Sequence, residues 1–165
     1  MTAPISSVLP HNLLESVHVL CVDDSPEALA LLTRVFEHYG AQVTACPSAE
    51  LALGFILVAK FDVIVSDLDM PGMDGYDLAH ALRNIERGRP GDTPTVMVSS
   101  KANVPSVKRL YADFQVYMSK PIDHLKLVKV IDRLVEADGG AVRAGSLDTW
   151  ERENGKQVNS SLHQR

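Results

Sequence analysis

Cysteine is nearly missing from this chain: Cys21 and Cys46 are the only two, far apart and each inside an apolar run. That spacing excludes a disulfide framework and a cysteine-based zinc site, and a reducing, cytoplasmic setting is expected. Aromatic residues make up only 5% against an apolar share of 45%, so a core must be built mostly from Leu, Val, Ile and Ala. No apolar run reaches the roughly 18 residues of a membrane span, and no membrane partner is expected. The first ten residues lack a basic stretch, which argues against a signal peptide. Clustered Lys and Arg are absent too. Arg87 to Arg89 and Lys108-Arg109 are the longest basic stretches, and with a net charge of −5 nucleic acid is not an expected partner.

What is present is a repeating pattern, in a length of 165 residues that suits one domain with tails. Residues 1–16, with Pro4 and Pro10, read as a lead-in. Val17 to Val22 is a short β-rich run ending at Asp23-Asp24. Ser25 can then cap a helix, Pro26 suits its first position, and Glu27 favours the positive end of its dipole. Leu29, Leu32, Phe36 and Tyr39 recur at helical spacing until Gly40 stops the helix. The unit repeats, with strands predicted over 42–46, 61–66, 95–99 and 116–119 and helices over 48–59, 75–86, 105–112 and 123–137. Strict alternation requires parallel strands, because each helix must carry the chain back before the next strand begins. Val63-Ile64-Val65 and Val96-Met97-Val98 are continuously apolar, as strands covered on both faces should be. The expected class is α/β, a doubly wound five-stranded parallel sheet within a domain over 17–137. Beyond Asp138-Gly139-Gly140 the composition turns polar. The tail over 138–165 is expected to be disordered or to carry a short docked helix over Ser146 to Glu153, around Trp150.

In such sheets ligands bind beyond the carboxyl ends of the strands. Those ends carry Asp23-Asp24, Asp67, Ser99 and Lys120. Taken singly, each has a plain structural reading: a helix cap, a turn residue, a buried hydroxyl, a solvated lysine. Together at one edge they form a chemical set. Three converging carboxylates repel one another unless a cation is supplied. Lys120 supplies one positive charge, and an all-oxygen cluster suits Mg²⁺. A carboxylate beside Mg²⁺, a hydroxyl and an ammonium can run phosphoryl transfer: Asp67 attacks in line, while Ser99 and Lys120 take the charge of the transferring group.

These residues sit in stretches that resemble the receiver domains of two-component signalling: Val22 to Ser25, Ser66 to Gly75, Pro94 to Ser100 and Tyr117 to Pro121. The resemblance covers about residues 17–137 and implies the five-unit βα, flavodoxin-like receiver fold. It implies Asp67 as phosphoacceptor, and Asp23, Asp24 and Asp67 as holders of Mg²⁺ with the backbone carbonyl of Asp69. Lys120 would be the phosphate partner, Ser99 the switch hydroxyl and Tyr117 the aromatic switch, with a cis peptide at Lys120-Pro121. A signalling phosphoacceptor is implied, not a turnover enzyme, with a histidine kinase or histidine phosphotransfer protein as donor and a downstream protein as target or relay. A homodimer through the last strand and the helices over 105–112 and 123–137 is left open. Three departures stand out. Ser99 and Ser100 replace the common Thr and Ala, and Asp113-Phe114-Gln115 is similar to receivers of hybrid histidine kinases. Asp69 and Lys101, of opposite charge, would flank the path of a water attacking the phosphoryl group and tune its lifetime. The rival readings are an aspartyl-phosphate hydrolase of dehalogenase-like type, suggested by Asp67-Leu68-Asp69, and a binding module that is never phosphorylated.

Overall fold

Val19 and Cys21 point to one side of the first strand and Leu20 and Val22 to the other, and this period of two sets the architecture. The structure, a computed structural model, describes residues 8–86, 93–100 and 114–138. Among them are five strands, β1 (His18–Val22), β2 (Gln42–Cys46), β3 (Val63–Asp67), β4 (Thr95–Ser99) and β5 (Val116–Ser119). They form one sheet in the order β2-β1-β3-β4-β5, every pairing parallel. Four helices are described: α1 (Pro26–His38), α2 (Ala49–Val58), α3 (Gly75–Glu86) and α4 (His124–Asp138).

Helices α1 and α4 cover one face, where Leu29, Leu32, Phe36, Leu127 and Ile131 cluster with the odd-numbered strand residues Val19, Cys21, Val63 and Val65. Helices α2 and α3 cover the other, where Ala52, Ile56, Leu78 and Leu82 meet Leu20, Val22 and Ile64. Strands β3 and β4 are buried along their whole length, which is why Val63-Ile64-Val65 and Val96-Met97-Val98 within them are continuously apolar. The doubly wound sheet read from the sequence is the fold observed. Its order reverses between β1 and β3, so the loops leaving those two strands diverge and open a crevice at their carboxyl ends.

Local chemistry sets where the elements begin. The side chains of Ser25 and Ser48 accept from the backbone N–H of Ala28 at 3.2 Å and Leu51 at 3.3 Å, capping α1 and α2. Asp62 accepts the His18 N–H at 2.7 Å, and β3 starts at Val63, two residues later than predicted, and ends at Asp67, one residue later. Gly75 opens α3 where a Cβ would lie 2.6 Å from the Asp67 carbonyl oxygen, and only glycine lets the helix press against the end of β3.

The predicted lead-in is more than a lead-in. Leu14 is fully buried, Leu9 and Leu13 pack against the α1 face, and the Leu14 N–H reaches the Tyr39 carbonyl at 2.8 Å. Burial of these leucines outweighs the absence of any helical or strand period in the segment. The helix predicted over 105–112, the tail beyond 138 and Lys101 lie outside the described residues.

Candidate functional site

Parallel strands in close register end together. Val22 of β1 pairs with Ser66, Asp67 of β3 with Val98, and Ser99 of β4 with Ser119. The residues that end or follow these strands therefore gather at one edge. Backbone bonds from Asp23 to Cys46, Leu68 to Val98 and Lys120 to Ser99, at 2.8–3.1 Å, carry the sheet one residue further and fix where those side chains start.

Asp23, Asp24 and Asp67 each offer a carboxylate oxygen, all within 4.8 Å of one another. Asp23 and Asp67 are buried and Asp24 is exposed. The Lys120 ammonium lies 3.2 Å from Asp23 Oδ2 and 3.4 Å from Asp67 Oδ1. Asp23 is further oriented by its other oxygen, Oδ1, which accepts the Ser25 N–H at 2.9 Å just ahead of α1. Burial pushes the Asp67 carboxyl up, the charge of Lys120 opposes that rise, and the charge of Asp23 adds to it. For Lys120, burial pulls the ammonium down, but Asp23 and Asp67 outweigh it and the net shift is upward. Lys120 is thus held in its charged form, but it is one ammonium beside a cluster of three carboxyl groups, a crowding that calls for further positive charge.

The donor set fits a hard divalent cation. Every candidate donor in the cluster is an oxygen, one group is open to solvent, and the pocket needs positive charge. Cys21, close enough for the charge of Asp23 to be felt, is no competitor: burial pushes its thiol far up and keeps it protonated. The Lys120–Pro121 peptide is cis, in line with the resemblance.

The remaining candidates fall around this cluster. Ser99 is fully buried, and its hydroxyl donates to Asp69 Oδ2 at 3.1 Å. Tyr117 is half-buried and packs against the patch formed by Leu68, Ala79, Met97 and Phe114, outside the carboxylate cluster. The expected pairing of Asp69 with Lys101 lies outside the described residues on the lysine side. A role for the Asp69 side chain beside Ser99 was not read from the sequence. The signal was available in principle: once β3 and β4 are aligned, Asp69 and Ser99 each lie just past the Asp67–Val98 pair.

The profile of the response regulator receiver domain matches residues 19–132. The sensor histidine kinase GacS of Pseudomonas protegens is 36% identical over 116 residues, covering 68% of this chain but only 12% of the kinase. An uncharacterised 14.6 kDa protein of Leptolyngbya boryana is 31% identical over 121 residues, covering 73% of this chain and 91% of its own. Among solved structures, the signal receiver domain of a signal transduction histidine kinase from Syntrophus aciditrophicus superposes with a TM-score of 0.67 at 26% identity, covering 78% of this chain and 95% of that one.

Proposed function

This chain belongs to the response regulator receiver domain family of two-component signalling, and from that premise we propose that Asp67 is its phosphoacceptor. The observation that carries the reading is the Lys120 ammonium poised between Asp23 and Asp67 at the switch point of the sheet. Receivers of this kind take the phosphoryl group from a histidine kinase or a relay protein. Here the Asp67 carboxylate oxygen would attack phosphorus, forming the P–O bond as the P–N bond to the donor imidazole breaks. Lys120 neutralises charge on the transferring group. Asp23, Asp24, Asp67 and the Asp69 carbonyl are the residues that would hold Mg²⁺. The bound ion would supply the positive charge that this carboxyl-rich pocket calls for.

On this reading the Ser99 hydroxyl turns to the phosphoryl oxygen, and Tyr117 shifts within its half-buried patch, remodelling the face around β5 and α4 for a downstream protein or a second copy. Asp69 and Lys101 flank the route of the hydrolytic water, and the chain works in the cytoplasm as a receiver over 17–137. Support for the assignment comes from the gathering of all five strand-end groups in the order and spacing of the family. The test is intact mass after incubation with acetyl phosphate and Mg²⁺. One added phosphoryl mass is expected, absent with EDTA or in Asp67→Asn. Undiminished labelling of that variant would move the site elsewhere.

A further inference from the structure

The Ser99 hydroxyl carries a single proton and can donate it to one acceptor at a time. In this structure it is given to Asp69 Oδ2, at 3.1 Å. Ser99 is fully buried, so its hydroxyl cannot be released to bulk water, and it must exchange one protein-side acceptor for another. Asp69 is half-buried, and its carboxylate makes this a charge-assisted bond, stronger than one to a neutral oxygen. A phosphoryl oxygen on Asp67 would compete for the same proton. The strand register places Ser99 one residue beyond the partner of Asp67, on the strand beside it. Serine, unbranched at Cβ, turns between them with less restriction than a β-branched threonine would.

We infer that the Asp69 side chain is the resting-state acceptor that holds the Ser99 hydroxyl, and that it competes with the phosphoryl group for it. Asp69 is then a positioning residue that sets how completely occupancy of Asp67 throws the switch. The inference rests on Asp67 being the phosphoacceptor and adds a distinct role for the Asp69 carboxylate. Its negative charge would also repel a phosphoryl group directly, whether or not Ser99 is present. The two effects separate in a double-mutant cycle.

The probe is beryllofluoride with Mg²⁺, a phosphoryl mimic, and the readout is its affinity for the full chain. Asp69→Ala should tighten binding both by relieving repulsion and by freeing Ser99. In a Ser99→Ala background only the repulsion remains. The gain from Asp69→Ala should therefore be about three- to ten-fold larger with Ser99 than without it, the scale of one hydrogen bond. Asp69→Asn, which keeps an acceptor without the charge, should restore the resting NMR shifts of Ser99 that Asp69→Ala displaces. Equal gains in the two backgrounds, or Ser99 shifts indifferent to Asp69→Ala, would overturn the competition and leave the Asp67 assignment standing. No binding by the wild-type chain, or binding unaffected by Asp67→Asn, would overturn that assignment and the competition with it.

Discussion

Asp67 carries a cost that its neighbours only partly relieve. Burial and the charge of Asp23 raise its pKa while Lys120 works against them, so the ionised form is disfavoured in the fold relative to the unfolded chain. A raised carboxyl leaves stability intact below the unfolded value and removes it as pH rises through the folded one. Asp67→Asn has no charge to bury at any pH. Without divalent metal it should melt higher than wild type at neutral pH, by a margin of about 1 kcal/mol, and the two should converge as pH falls. Added Mg²⁺ should narrow the gap by stabilising the wild type. Thermal melts in EDTA across pH, repeated with the metal, measure both. The five strand-end residues were legible because parallel strands in register must end at one edge, which spacing alone reveals. The bond between Ser99 and Asp69 was not, because it depends on which acceptor a side chain turns to, and no spacing records that choice.

At the scale of elements, two features tie the site to the body of the fold. Helix α3 presses its first residue onto the end of β3, with no room for a Cβ at Gly75. Gly75→Ala should cost about 2 kcal/mol in urea unfolding, and should slow acetyl-phosphate labelling because the displaced backbone is that of Asp67 itself. At the opposite end of the strands, α3 ends in a part-buried ion pair, with Arg83 Nη1 2.8 Å from Glu86 Oε2. Arg83 also donates to the Thr93 carbonyl, to Thr95 Oγ1 and to Gln115 Oε1, and Gln115 in turn accepts the Thr95 N–H at 2.6 Å. This network gives Gln115 of the Asp113-Phe114-Gln115 departure a structural reason, since it joins the start of β5 to α3, while Asp113 lies outside the described residues. Phe114 is buried beside Tyr76, their ring centroids 5.9 Å apart. Arg83→Ala would remove the cation from beside the Glu86 carboxylate, leaving it only the Thr93 N–H and hydroxyl, so a loss of about 3 kcal/mol is expected in denaturant titration. Labelling of the folded protein at Asp67 should persist, the two sites lying at opposite ends of the strands. A contact network of this kind, assembled from three separate segments, leaves no local periodicity for a sequence reading to find. Docking of the lead-in through Leu9, Leu13 and Leu14 escaped it for the same reason.

For the molecule as a whole, the sheet serves as a frame that brings distant acidic residues to one edge, with α1 and α4 packed on one face and α2 and α3 on the other. The chain spans 12% of the length of the GacS kinase it matches, so what is shared with that relative is this receiver unit. Among the described residues no helix is long and apolar enough to cross a membrane. On the proposed function, this frame makes Asp67, and not its acidic neighbours, the nucleophile toward phosphorus. Borohydride reduction of the phosphorylated protein tests it most directly, because an aspartyl phosphate is converted to homoserine at the residue that carried it. After treatment with acetyl phosphate and Mg²⁺, peptide mass spectrometry should find homoserine at position 67 alone, and nowhere when the metal is chelated first. Homoserine at Asp23, Asp24 or Asp69 instead, or at position 67 without metal or donor dependence, would contradict it.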